Sequence, residues 1–317
     1  MKKDMMWAFM LNLGSNMWQK MGEEHPFFTE VEENYHETMY TSKEVWRKVT
    51  DILPEWGINT LLIDLGEGVK YESHPEIAVE GAWEKEELIE ELARLRSIGL
   101  TPLPKLNFSA GHNGWLGEYA FMVGSSIYYQ VVEDLVNEVI DIFDTPEFFH
   151  LGLDEESSDG QYYAPVAVAR RPYKQMADAQ KLFKLCLDRG VRPWMWMDDR
   201  AVDNFGGPEA FCANVPKEVL MSNWYYWRLH PKENDPKVQL YDRLDEWGYE
   251  QVPCASTCYW PITSRQILRY CKEHLNPENV RGYMTAPWIL TDEESYYGLL
   301  NDAWRLACSK KLIYGEE

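Results

Sequence analysis

Eight short apolar runs recur along the 317 residues, each followed by a stretch of helical character, and no other feature restricts the fold as much. The runs are Met6 to Leu13, Ile58 to Leu65, Leu100 to Phe108, Phe148 to Leu153, Arg192 to Met197, Val219 to Tyr225, Glu250 to Ser256 and Gly282 to Trp288. Near-continuous apolarity, rather than strict alternation, marks strands covered on both faces, as in a parallel sheet. The intervening segments are amphipathic. In Glu84 to Arg96, for example, Leu88, Ile89, Leu92 and Leu95 fall at helical spacing with charges on the other face. Glycine stands just ahead of a strand in Trp56-Gly57-Ile58, Ile98-Gly99-Leu100, Arg189-Gly190-Val191 and Trp247-Gly248-Tyr249, where a helix C-cap belongs. Eight strand-helix repeats predict an α/β fold of the (β/α)8 TIM barrel type. The barrel is expected to fill 1–317 as a single domain, with no accessory N-terminal domain. An open doubly wound sheet is the alternative, and no strand is followed by the Gly-x-Gly-x-x-Gly loop it would favour.

Charge narrows the partners. With 52 acidic against 31 basic residues, the net charge of -21 repels phosphate backbones and anionic lipid surfaces, so neither nucleic acid nor membrane is an expected partner. No run approaches the roughly 18 apolar residues of a membrane helix. Met1-Lys2-Lys3-Asp4 begins like a leader, but Asn12 breaks the apolar stretch behind it, and a cytoplasmic location is expected. A secreted form with its leader removed is the alternative. Cysteines at 186, 212, 254, 258, 271 and 308 lack both zinc-site spacing and disulfide-scaffold density, and read as free thiols. No metal or organic cofactor is expected.

One strand ends in a way that points to chemistry. Phe148-Phe149-His150-Leu151-Gly152-Leu153 runs straight into Asp154-Glu155-Glu156. Successive strand side chains face opposite ways, so adjacent acids mark the point where the strand turns into a loop. In a parallel α/β barrel that end carries the functional groups; the plain alternative is a solvated acidic loop. The other strand ends carry similar material. They offer Asp64 and Glu67, Asn107 with His112, Asp198-Asp199-Arg200, Asn223-Trp224-Tyr225-Tyr226-Trp227, Tyr259-Trp260, and Trp288 with Asp292 and Glu293. Acids and aromatics gathered at one end describe a pocket that hydrogen-bonds hydroxyls and stacks on ring faces. A carbohydrate or glycoconjugate is the expected partner; 14 Trp and 19 Tyr suit it. Taken singly, Asp64 and Asp199 read equally well as helix caps or partners of a barrel arginine, and His112 and His150 as packing residues.

The segment His150-Leu151-Gly152-Leu153-Asp154-Glu155 resembles the His-x-Gly-Gly-Asp-Glu motif of family 20 glycoside hydrolases, the β-N-acetylhexosaminidases, with Leu153 standing where the family has its second glycine. The passage from Glu86 through Pro104-Lys105-Leu106-Asn107 to Gly111-His112 is similar to the family's helix-to-third-strand segment. Trp196-x-Asp198, Asn223-Trp224 and Pro287-Trp288 fall where the family places its Trp-rich pocket. At the first strand, Asn12-Leu13-Gly14-Ser15-Asn16 stands where the family has an arginine. The resemblance implies retaining hydrolysis in which the sugar's own acetamido oxygen attacks the anomeric carbon. Asp154 would then orient the acetamido group. Glu155 would be general acid and afterwards general base, kept protonated beside an ionised Asp154 because neighbouring like charges push one pKa up. Trp196, Trp224 and Trp288 are implied walls of the acetamido pocket, and Tyr225, ahead of Tyr226, is the implied donor to its oxygen. Asn107, His112, His150 and Asp198 complete the implied binding set. Glu156 is expected to face solvent or start the next loop.

Two other readings remain open at this point. Glu155 could pair with a carboxylate from another strand, Asp198, Asp292 or Glu293, as an ordinary retaining or inverting glycosidase. Alternatively, the missing first-strand arginine could mark a sugar-binding barrel without catalysis.

Overall fold

The computed structural model describes residues 5–17, 36–156, 161, 167–228 and 235–315; Met1 to Asp4 lie outside them. Eight strands form one parallel sheet in the order β6-β5-β4-β3-β2-β1-β8-β7. They are β1 (Met6–Asn12), β2 (Thr60–Asp64), β3 (Thr101–Lys105), β4 (Phe148–His150), β5 (Arg192–Met197), β6 (Leu220–Asn223), β7 (Cys254–Ala255) and β8 (Gly282–Thr285). The parallel bridges Met221↔Gln251 and Trp224↔Cys254 join β6 to β7 and close the circle. This is the (β/α)8 barrel that the repeat predicts. The α-helices among the described residues are α1 (Lys43–Ile52), α2 (Lys85–Ser97), α3 (Ser126–Ile142), α4 (Pro172–Asp188), α5 (Ala201–Asn204), α6 (Pro208–Asn214), α7 (Pro236–Glu246), α8 (Thr263–His274) and α9 (Tyr296–Tyr314). None of them is long and apolar enough to cross a membrane.

Local chemistry sets the ends of these elements. The Ser42 and Ser125 hydroxyls accept from the amides of Val45 and Tyr128 and cap α1 and α3, meeting donors that the first helical turn leaves unpaired. Gly190 and Gly248, both at φ 73°, end α4 and α7 in the left-handed conformation that glycine adopts without strain. Pro102 and Pro104 explain why β3 and β4 share only the pairing Lys105↔His150. In a parallel strand alternate residues bond to alternate neighbours, and the two prolines remove donors on the β4 side.

Side-chain alternation separates two cores. Trp7, Phe9 and Leu11 of β1 point out against the helix layer, while Met6, Ala8 and Met10 point into the barrel with Leu62, Leu103 and Phe148. Two residues further toward the C-terminal end, the register Asn12↔Asp64↔Lys105↔His150↔Trp194 crosses five strands at one level. A polar layer thus lies over the apolar one, directly beneath the mouth of the barrel. Asp64 and Lys105 form an ion pair within it, with side chains 5% and 0% exposed. The barrel partner that the sequence suggests for Asp64 is therefore a lysine rather than an arginine.

Candidate functional site

Above the polar layer a cavity of about 500 Å³ opens at the C-terminal ends of the strands. Asp154, Glu155 and His112 line one side, and Trp224, Tyr226, Trp227, Tyr259 and Trp288 line much of the rest. Asp154 and Glu155 are its only carboxylates among the described residues.

The turn after β4 presents the acids. His150 is fully buried against Trp194 and Trp196, at ring-centroid distances of 5.1 and 4.5 Å. Its Nδ1 accepts the Gly152 amide at 3.1 Å, so Nε2 carries the proton, and burial with the nearby Lys105 charge holds the ring neutral, well below its usual pKa. Gly152, at φ 75°, lies so close to Asn107 that a Cβ would fall 1.9 Å from Oδ1; no side chain fits there. Leu153 and Glu155 follow at φ 69° and 48°, the left-handed region that side chains avoid. At Leu153 that conformation costs about 1–2 kcal/mol. Its side chain is 8% exposed, and burying a leucine is worth about 1.5–3 kcal/mol, enough to offset the strain where glycine would carry none.

Hydrogen bonds then fix each acid. Asn107 Nδ2 donates to Asp154 Oδ1 at 3.1 Å, and Ser109 Oγ donates to the Asp154 carbonyl. His112 Nε2 lies 3.0 Å from Glu155 Oε2 and 3.5 Å from Asp154 Oδ2. The Glu155 amide donates to Asp198 Oδ2 at 3.3 Å. Burial raises the Asp154 pKa, opposed by His112 and reinforced by Glu155. Burial also works to raise Glu155. The His112 hydrogen bond and charge outweigh it, with Lys237 and Arg200 adding to them, and hold Glu155 below its usual value. His112 is in turn raised: burial lowers it, but the two carboxylates prevail. These directions run opposite to the expected raising of Glu155, because His112 bonds to Glu155 while Asp154 is the more deeply buried of the two.

Several residues sit elsewhere than the sequence suggests. Tyr225 turns into the helix layer and donates to Asp235 Oδ2 at 2.6 Å. Tyr226, two residues after Trp224, shares the inward face with it and lines the cavity instead. Trp196 is fully buried beside Trp288, at a centroid distance of 5.7 Å, and is not part of the cavity wall. Asn107 and His150 also stay behind that wall, the one holding Asp154 and the other packed among tryptophans. Asp198 commits its oxygens to the amides of Arg200, Ala201 and Glu155, so it braces the acid turn rather than facing a ligand. Asp292 accepts the Ser295 amide at 2.8 Å, and Glu293 accepts the Ser42 hydroxyl at 2.6 Å; neither lines the cavity. Glu156 does not face solvent. Its side chain is 3% exposed and paired with Arg170. Trp227 and Tyr259, which the sequence marks only as aromatics near strand ends, form a stacked pair at the rim, 5.3 Å apart at 17°. Lys237 is absent from the sequence reading altogether. It lies 3.8 Å from the Trp224 ring centre and 3.4 Å from Asp199, so it braces the aromatic wall and gives Asp199 a lysine partner where an arginine was the expectation.

The fold is shared with solved structures of family 20 glycoside hydrolases. One is an exo-β-N-acetylglucosaminidase from Vibrio harveyi in complex with N-acetylglucosamine, at 14% identity and a TM-score of 0.64 over 96% of this chain. This chain spans 54% of that protein's length. A β-N-acetylhexosaminidase from Bacteroides fragilis gives 14% identity and a TM-score of 0.62, covering 98% of this chain and 71% of that one. The corresponding enzyme from Streptomyces coelicolor gives 13% and 0.62, covering 96% and 64%. No protein-family model matches the chain, and no curated protein matches it by sequence.

Proposed function

We propose that the protein is a glycoside hydrolase that removes a terminal N-acetylhexosamine by substrate-assisted, retaining hydrolysis. The observation that carries this reading is the pairing of Asp154 and Glu155 as the only carboxylates lining the cavity among the described residues. A direct nucleophile about 5 Å from the acid, or an inverting base roughly 6.5–9.5 Å from it, has to flank the scissile bond from the other side of the sugar, whereas Asp154, with an oxygen within 4.8 Å of one of Glu155, comes from the same turn. Asp198, Asp292 and Glu293 are engaged elsewhere. The N-acetylhexosaminidases that share the fold support the same substrate class.

In this reading Asp154, held by Asn107, orients the acetamido group and balances the positive charge that grows on it. Glu155, the more exposed acid with a side chain 42% exposed, passes to the leaving oxygen the proton it shares with His112 Nε2, 3.0 Å away, and then, as a carboxylate, activates water. Trp224, Tyr226 and Trp288 enclose the acetamido group. The Trp224 ring N–H makes no hydrogen bond among the described residues, and the Tyr226 hydroxyl sits beside the Trp288 ring N–H and the Cys254 thiol, so that these groups can turn to a ligand.

Aryl glycosides test the reading. Wild type should release the aryl group from N-acetylglucosaminides and not from plain glucosides, and Asp154→Ala should lose that activity. Glu155→Gln should slow turnover by about 10²–10⁴-fold, the usual contribution of a general acid. Equal rates on both substrate types, or a Glu155→Gln rate matching wild type, would overturn it. Sugar binding without release would identify a binding barrel.

A further inference from the structure

Leu153 and Glu156 bracket the two acids, and neither lines the cavity. The Leu153 side chain borders a small space behind the turn, together with Phe108, Tyr128, Leu182 and Phe205. Glu156 pairs with Arg170 and accepts the Ala110 amide at 3.2 Å. Arg170, whose side chain is 11% exposed, continues to Asp178 Oδ2 at 3.3 Å, and Asp178 belongs to α4. The turn therefore alternates: residue 153 is anchored, 154 and 155 are presented, and 156 is anchored again. Two of these four residues have left-handed backbones, a conformation that persists only where the surroundings impose it.

We propose that Leu153 and the Glu156–Arg170–Asp178 chain are positioning residues that aim Asp154 and Glu155 into the cavity by fastening both sides of their turn to the helix layer. This rests on the reading of the acid pair given above. Arg170 also neutralises a third carboxylate beside the pair, which would otherwise add to the repulsion between them. The aromatic wall comes from other strands, so loosening the anchor should misdirect the acids while leaving the sugar's platform in place.

Arg170→Met, Glu156→Gln, their double variant and Leu153→Gly test the proposal. Each single variant should lower kcat about 10- to 100-fold with KM within about twofold, as expected for loss of orientation. The double variant should be no worse than the poorer single one, since both remove the same link. Additive losses, or a raised KM with unchanged kcat, would overturn it. A second readout needs no turnover: the titration of His112 followed by NMR. His112 faces Asp154, Glu155 and Lys105. If the turn loosens and Glu155 withdraws, the His112 pKa should fall toward its ordinary value; an unchanged titration in Leu153→Gly and Arg170→Met would sink the proposal. A wild type inactive on every glycoside would instead count against the reading of the site, with the His112 titration still deciding the anchor.

Discussion

Tyr225 and Tyr226 are adjacent and chemically identical, yet one is bonded to Asp235 in the helix layer and the other lines the cavity. Tyr226→Phe should therefore lower kcat/KM on N-acetylglucosaminides about tenfold, the equivalent of one lost hydrogen bond. Tyr225→Phe should leave the rate nearly unchanged and cost about 1 kcal/mol of stability. Kinetics and denaturant melts of the two variants check this, and a larger rate loss in Tyr225→Phe would contradict it. The choice is legible in principle, because period-2 alternation places Tyr226 on the same face as Trp224. It is obscured because the sequence does not say how far strand geometry persists past Asn223. Asp198 and Glu156 are hidden for a different reason. Whether a carboxylate faces a ligand depends on which amides and cations reach it first, and Arg170 stands 14 residues beyond Glu156 in the sequence.

Among the elements, α9 carries a feature with a distinct pH signature. Asp302 is fully buried and bonded by Thr257 and Thr285, and burial pushes its carboxyl from 3.8 up to about 6. The folded state thus prefers the protonated form. This contribution is neutral below the unfolded pKa, becomes unfavourable as pH rises from 3.8 to about 6, and levels off at about 3 kcal/mol beyond it. Asp302→Asn should flatten the fall in Tm across that window; an unchanged slope would refute the assignment. The elements themselves are largely readable. Arg192 to Met197 matches β5 residue for residue, while the run Glu250 to Ser256 shrinks to the two residues of β7. Apolarity reports burial, which continues beyond the stretch where neighbouring backbones lie close enough to pair.

Across the whole molecule, the net charge of -21 opposes compaction. Raising sodium chloride from about 20 to about 500 mM should screen that repulsion and increase Tm by a few degrees, since the Debye length shrinks severalfold over this range. A Tm that falls or stays level would show that attractive pairs dominate. The closed barrel is legible because eight repeats leave few alternatives, whereas the residues that close it are not, since bridges between the sixth and seventh strands depend on tilt and register. That closure is held by the two bridges Met221↔Gln251 and Trp224↔Cys254, and the cavity wall spans it, with Trp224 on one side and Thr257, Cys258 and Tyr259 on the other. A ligand seated there acts as a staple across the seam where the sheet closes on itself. Occupancy and barrel closure then become linked equilibria, each favouring the other.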